Sequence, residues 1–135
     1  MSSLVVFDSS IFIDYLWQGR HQQRLLSLAG IVRTSAVVLA ELWRGATKPQ
    51  ERRFLTKLEE NHPVLVPTRR NWIESGQILA DLRTRHGFLP GKLRDLHFDV
   101  LIALTARSHG ARLVTSDRDD FELIRKYRPF LLEVW

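Results

Sequence analysis

Short apolar runs that each end in a polar turn recur along this chain, and the stretches between them repeat their apolar residues at helical spacing. Leu4-Val5-Val6-Phe7 leads into Asp8-Ser9-Ser10, Gly30 to Thr34 into Ser35, and the proline-bounded Pro63-Val64-Leu65-Val66-Pro67 into Thr68. Ala111 to Thr115 leads into Ser116-Asp117-Arg118-Asp119-Asp120, and Phe130 to Val134 closes the series. Continuous apolar runs of this length fit strands covered on both faces. Between them, Ile11, Phe12, Tyr15 and Leu16 share one helical face, as do Phe54, Leu55 and Leu58, and the pattern Trp72, Ile73, Ile78, Leu79, Leu82 runs from Thr68 to His86. Strands alternating with helices predict an α/β/α sandwich with a mostly parallel sheet of about five strands.

Punctuation residues set the expected boundaries. Ser35 is placed to cap a helix over Ala36 to Gly45, Pro49 to open one reaching about Asn61, and Gly19, Gly87 and Gly110 to stop others. Phe88-Leu89-Pro90-Gly91 reads as a loop, followed by a helix from about Leu93 to Ser108, and Phe121, Leu123, Ile124 and Tyr127 suggest a short last helix. The 135 residues suffice for one domain, 1-135, with a real core and are too few for two.

Composition narrows the chemistry. With no cysteine, thiolate zinc sites, iron–sulfur clusters, disulfides and cysteine nucleophiles are excluded together, so any metal rests on oxygen or imidazole. No apolar run approaches the length of a membrane span and no secretory leader pattern is present, so the expectation is a cytoplasmic protein. The formal net charge is +5, and 16 of the 20 basic residues are arginine. Arginine pairs bidentately with phosphate and stacks on bases, which points to a nucleic-acid partner; a solvated surface is the ordinary reading of the same charge.

Four acidic residues stand where they look out of place. In open parallel sheets ligands bind beyond the carboxyl ends of the strands, where strand order reverses. Asp8 follows the first strand and Asp117 the fourth, while Glu41 lies inside the apolar segment Ala36 to Trp43. Asp99 interrupts Phe98 to Ala103 and on a helix shares a face with Ile102, Ala103 and Ala106. Carboxylates about 4 Å apart repel by about 4 kcal/mol per pair at an effective dielectric near 20, so such a cluster calls for a cation. Hard Mg²⁺ or Mn²⁺ suits an all-oxygen site and can activate water against a phosphoryl group. Each acid also has an everyday use. Asp8 and Asp117 can cap helices, Glu41 can pair with Arg44, and Asp99 can be an early helix residue favoured by the dipole.

The ordered segments Asp8-Ser9-Ser10, Ala40-Glu41-Leu42-Trp43-Arg44-Gly45-Ala46, Asp99-Val100-Leu101-Ile102-Ala103 and Thr115-Ser116-Asp117-Arg118-Asp119-Asp120-Phe121 resemble a PIN domain, and more narrowly the VapC toxins of toxin–antitoxin modules. The resemblance spans nearly the whole chain. It implies a Mg²⁺- or Mn²⁺-dependent endoribonuclease whose acidic cluster is Asp8, Glu41, Asp99 and Asp117, with Asp8 and Asp99 the principal metal ligands. Asp120 matches a secondary acidic position before the family's Phe, and Asp119 does not. Ser10 and Thr115 match small hydroxyl positions beside the first and last acids. Asp14 and Asp95 have no counterpart. Also implied are a small cognate antitoxin protein and a homodimer, with Trp17, Leu42 and Trp43 as candidates for an apolar groove.

The chemistry expected is hydrolysis of an RNA phosphodiester, with substrate held by surface arginines among Arg20, Arg44, Arg83, Arg85, Arg94 and Arg118; Trp17, Trp43, Trp72 and Trp135 can stack on bases, although tryptophans at helical spacing more often belong to a core or interface. His97, nearest in sequence to Asp99, is turned about 160° away from it on a regular helix. Three rival readings stay open: a PIN-type nuclease in RNA maturation or DNA processing, a receiver- or phosphohydrolase-type protein phosphorylated on Asp8, and a catalytically silent binding module. Ser10 and the scarcity of lysine count against the second.

Overall fold

The computed structural model describes residues 3–135. In chain order the elements are β1 (Leu4–Phe7), α1 (Ser9–Gln18), α2 (Gln22–Leu26), β2 (Ile31–Ser35), α3 (Ala36–Gly45) and α4 (Pro49–Asn61), then β3 (Val64–Leu65), α5 (Arg69–His86), α6 (Pro90–Ser108), β4 (Arg112–Thr115), α7 (Arg118–Arg125) and β5 (Leu131–Val134). The five strands form one sheet in the order β3-β2-β1-β4-β5, and every pair is parallel. This is the α/β/α sandwich the strand–helix alternation predicts. The central strand β1 is covered on both faces, with Val5 and Val6 fully buried, as its unbroken apolar run requires.

Helix ends follow local chemistry. The Ser35 hydroxyl accepts from the Val37 and Val38 backbone N–H groups and so opens α3 at the end of β2. Thr68 and Asn71 exchange hydrogen bonds at the start of α5, and Gly19 and Gly87 take left-handed backbone at the ends of α1 and α5. Gly30, before β2, has φ +143°, and a Cβ there would stand 2.6 Å from the Ser3 carbonyl oxygen, so glycine is required where β2 joins β1.

Several boundaries differ from those the sequence predicts, each for a physical reason. Helix α6 begins at Pro90, so Pro90 and Gly91 form its first turn; proline lacks an N–H that would be orphaned there and its φ is already helical. The strand expected over Pro63 to Pro67 shrinks to the two residues of β3, since the flanking prolines donate nothing to a ladder and this is a sheet edge. Helix α2 carries no buried residue and so leaves no apolar periodicity to read. On α5 the buried face is Asn71, Ser75, Ile78 and Leu82, while Trp72 and Ile73 are 51% and 45% exposed. No helix among the described residues is long and apolar enough to cross a membrane.

Candidate active site

Chain order reverses between the adjacent strands β1 and β4: β1 leads outward to β2 and β3, and β4 to β5. The connections on either side diverge there and leave a crevice beyond the carboxyl ends of the two strands. Asp8 is the first residue past β1, and its backbone N–H donates to the Val114 carbonyl at 2.9 Å, which extends the ladder into the crevice.

Asp8 is 3% exposed and sits at the N-cap of α1, yet its side chain makes no capping hydrogen bond. One carboxylate oxygen, Oδ2, accepts from Ser10 Oγ at 2.7 Å and from Thr115 Oγ1 at 2.9 Å. Those hydroxyls are held in turn, Ser10 Oγ accepting from the Ser116 N–H at 3.1 Å and Thr115 Oγ1 from the Asp117 N–H at 2.9 Å. The other oxygen, Oδ1, is buried with no partner among the described residues. Burial raises the Asp8 pKa in spite of these donors.

Glu41 lies on α3 with Oε1 likewise buried and unpartnered. The pairing with Arg44 does not form: the Arg44 guanidinium lies over the Phe98 ring, 5.7 Å from its centroid. Burial, then repulsion from Asp8, pushes the Glu41 pKa up to about 7. Asp99 sits midway along α6, well past its first turn, so the first-turn dipole role is also absent. Its pKa is pushed up to about 8, by burial first and then by Asp8, Glu41, Asp117 and Asp120 in turn.

The late acids complete the cluster. Carboxylate oxygens of Asp99, Asp117 and Asp120 lie within 4.8 Å of one another. Asp117 is at the N-cap of α7 without a side-chain capping bond, and burial followed by Asp120 raises its pKa. Asp120 also pairs with Lys92 Nζ at 3.1 Å. Thus all five acids singled out from the sequence meet at one end of the sheet, and two of their buried oxygens lack donors among the described residues. Mutual repulsion in a partly desolvated crevice makes this arrangement costly alone and well matched to a divalent cation with a preference for oxygen.

Other residues fall elsewhere. Asp14 pairs with His21 at 3.1 Å, His97 bonds Ser75 on α5 at 3.1 Å, and Asp95 and Asp119 are exposed. Leu42 is 3% exposed and belongs to the core, which removes it from the apolar groove, while Trp17 and Trp43 are 48% and 38% exposed. Trp135 packs on Phe7, His21 and Arg24. Lys92 carries no local signal in the sequence and becomes visible only once the start of α6 is placed opposite α7.

A parallel α/β sheet with carboxylates gathered at its switch point defines a class of acidic-centre folds. The PIN domain model matches residues 5–127, and the chain belongs to the PIN domain family. Among solved structures, its fold is similar to a chain of VapBC2 from Rickettsia felis bound to a DNA fragment from their promoter (TM-score 0.72, 22% identity, covering 98% of each chain). It is also similar to a chain of DNA-bound VapBC from Salmonella typhimurium (TM-score 0.72, 24% identity, 100% of this chain and 99% of that one). FitAcB from Neisseria gonorrhoeae is a further neighbour (TM-score 0.68, 19% identity, 95% of each chain). Sequence comparison with curated proteins gives no match.

Proposed function

We propose that this PIN-domain chain, a single domain over 1-135, is a divalent-metal-dependent endoribonuclease and the toxin of a type II toxin–antitoxin module. The observation that carries the reading is the cluster of Asp8, Glu41, Asp99, Asp117 and Asp120 at the switch point, with Asp8 Oδ1 and Glu41 Oε1 buried and unpartnered. Asp8 and Asp99 would hold Mg²⁺ or Mn²⁺, Glu41 and Asp117 would complete or orient the shell, and Asp120 would assist. When bound, the ion supplies an activated water and offsets charge on the phosphodiester as it is attacked.

The chain's own residues do the preparatory work. Ser10 and Thr115 occupy Oδ2 of Asp8 and fix the carboxylate with Oδ1 left without a donor among the described residues. Burial and mutual repulsion raise the pKa values of Glu41 and Asp99, so a cation held between them would favour their charged forms and couple metal binding to proton loss. Lys92 tethers Asp120 at the rim. No histidine lies in the acidic cluster, so proton transfer falls to carboxylates and water. An RNA substrate is supported by the arginine-rich surface, which supplies the phosphate affinity an acidic crevice lacks.

The toxin reading draws on the resemblance to VapC toxins and on the VapBC neighbours, and it carries a cognate antitoxin, a homodimeric assembly and the cytoplasm as its setting. Trp17 and Trp43 remain exposed apolar surface for such a partner. The test is incubation of the purified chain with total cellular RNA in Mg²⁺, in Mn²⁺ and in EDTA, beside Asp8→Asn and Asp99→Asn, with the cut sites mapped. Metal-dependent cleavage lost in both variants is expected; cleavage in EDTA, or a phosphorylated Asp8, overturns the reading.

A further inference from the structure

On the α3–α6 side of the acidic cluster a cleft of about 450 Å³ is lined by Glu41, Arg44, Arg94, Asp95, His97 and Phe98. Its volume falls within the range of about 300–1,000 Å³ that holds a small ligand, so it has room for one unpaired nucleotide and none for a duplex. Glu41, whose Oε1 is buried without a partner among the described residues, is one of the lining residues, so the cleft adjoins the proposed metal centre.

Two cations stand in this cleft without partners. Neither Arg44 nor Arg94 forms an ion pair or a hydrogen bond among the described residues, although the carboxylates of Glu41 and Asp95 share the same walls. Arg44 is held in place without consuming its donors: the guanidinium lies over the Phe98 ring, which leaves its N–H edges free to form a fork. The Arg94 guanidinium lies back beside Gly91 at the start of α6. Two free guanidinium groups beside a carboxylate cluster match the charge of a substrate that has an anionic phosphate at each step, one at the metal and the next at the arginines.

We infer that the cleft between α3 and α6 is a subsite for the unpaired nucleotide next to the scissile bond, its phosphate gripped by Arg44 and Arg94. This rests on the ribonuclease reading and deepens it, since it makes the substrate single-stranded at the cut and gives the strand a path across Glu41 along α6. Arg44 and Arg94 are binding residues, and Phe98 is a positioning residue for Arg44.

The experiment separates binding from cleavage. In an Asp8→Asn background with Mg²⁺, a fluorescein-labelled single-stranded RNA decamer is titrated by anisotropy at several salt concentrations, with the DNA decamer of the same sequence alongside. Arg44→Gln and Arg94→Gln should each weaken RNA binding about tenfold, and the pair should lower the slope of log affinity against log salt by about 0.7 for each phosphate no longer neutralised. Arg44→Lys should retain part of the affinity, and Arg53→Gln, an equal charge change on α4, should change it less than twofold. With all the acids intact, Arg44→Gln should raise KM for RNA cleavage about tenfold while kcat stays within about threefold, which keeps the test valid if Asp8→Asn folds poorly. RNA binding unchanged by either arginine substitution overturns the subsite and leaves the ribonuclease reading standing. Arginine-dependent binding of the DNA strand alone overturns the ribonuclease reading.

Discussion

Replacing Asp99 by Asn should make the metal-free protein more stable, because the carboxylate it removes is held against its own chemistry. Burial and four neighbouring acids push the Asp99 pKa from 3.8 up to about 8. A displacement of one pH unit corresponds to about 1.4 kcal/mol, so the full displacement sets a ceiling of about 6 kcal/mol. Asp99 is only half-buried, and the neighbours share its protons, so about 2 kcal/mol is the expected gain at pH 8. The pH window follows from the sign of the shift. Between about pH 4 and pH 8 the folded chain binds protons that the unfolded chain releases, so stability is greatest below the unfolded pKa and falls as pH rises through the folded one.

Urea unfolding followed by circular dichroism in EDTA reads this directly. The Asp99→Asn variant should exceed the parent by about 2 kcal/mol at pH 8, a shift of about 8 °C in Tm for a domain of this size, and the two should converge near pH 4. Saturating Mg²⁺ should narrow or reverse the gap, since a ligand at a hundred times its Kd adds about 2.7 kcal/mol to the parent alone. A variant less stable than the parent at pH 8 in EDTA, or a difference that does not vary with pH, refutes the crowding of these acids at a cost to the fold.

Three further outcomes follow from the same contacts. Thr115→Val keeps the buried shape and removes the hydroxyl that donates to Asp8 and accepts from Asp117, so cleavage or metal affinity should drop about 10- to 100-fold while the circular dichroism spectrum is unchanged. Ser35→Ala removes the cap of α3 and should lower unfolding free energy by about 1 kcal/mol in a denaturant titration. Because Glu41 and Asp99 titrate near 7 and 8, protons compete with the cation; apparent Mn²⁺ affinity by calorimetry should tighten between pH 6 and pH 8 and level off above.

Much of this site is legible in the sequence because its members break local patterns. Asp8 ends an apolar run, and Asp99 interrupts the buried face of α6 with Ile102, Ala103 and Ala106 fully buried beyond it. On α3 the rotation of 100° per residue separates neighbours that look alike in the sequence. Leu42 follows Val38 and Leu39 into the core, while Trp43, one residue on, turns outward. Long-range partnerships leave no local trace. The Thr115 hydroxyl reaches Asp8 across 107 residues of chain, and the partner of Arg44 is the Phe98 ring instead of the carboxylate three residues before it. The start of α6 is hidden because Pro-Gly resembles a turn, and the helix opens at Pro90 instead of near Leu93.

The acids at the β1–β4 switch point are proposed to hold a divalent cation that is required for cleavage. Mn²⁺ binding followed by electron paramagnetic resonance on the parent, Asp8→Asn and Asp99→Asn, with RNA cleavage assayed in the same samples, tests this most directly. The expected result is saturable binding to the parent, displaced by Mg²⁺, and a parallel loss of bound Mn²⁺ and of cleavage in both variants. Unaltered Mn²⁺ binding in both variants, or cleavage that persists when no Mn²⁺ is bound, would contradict it.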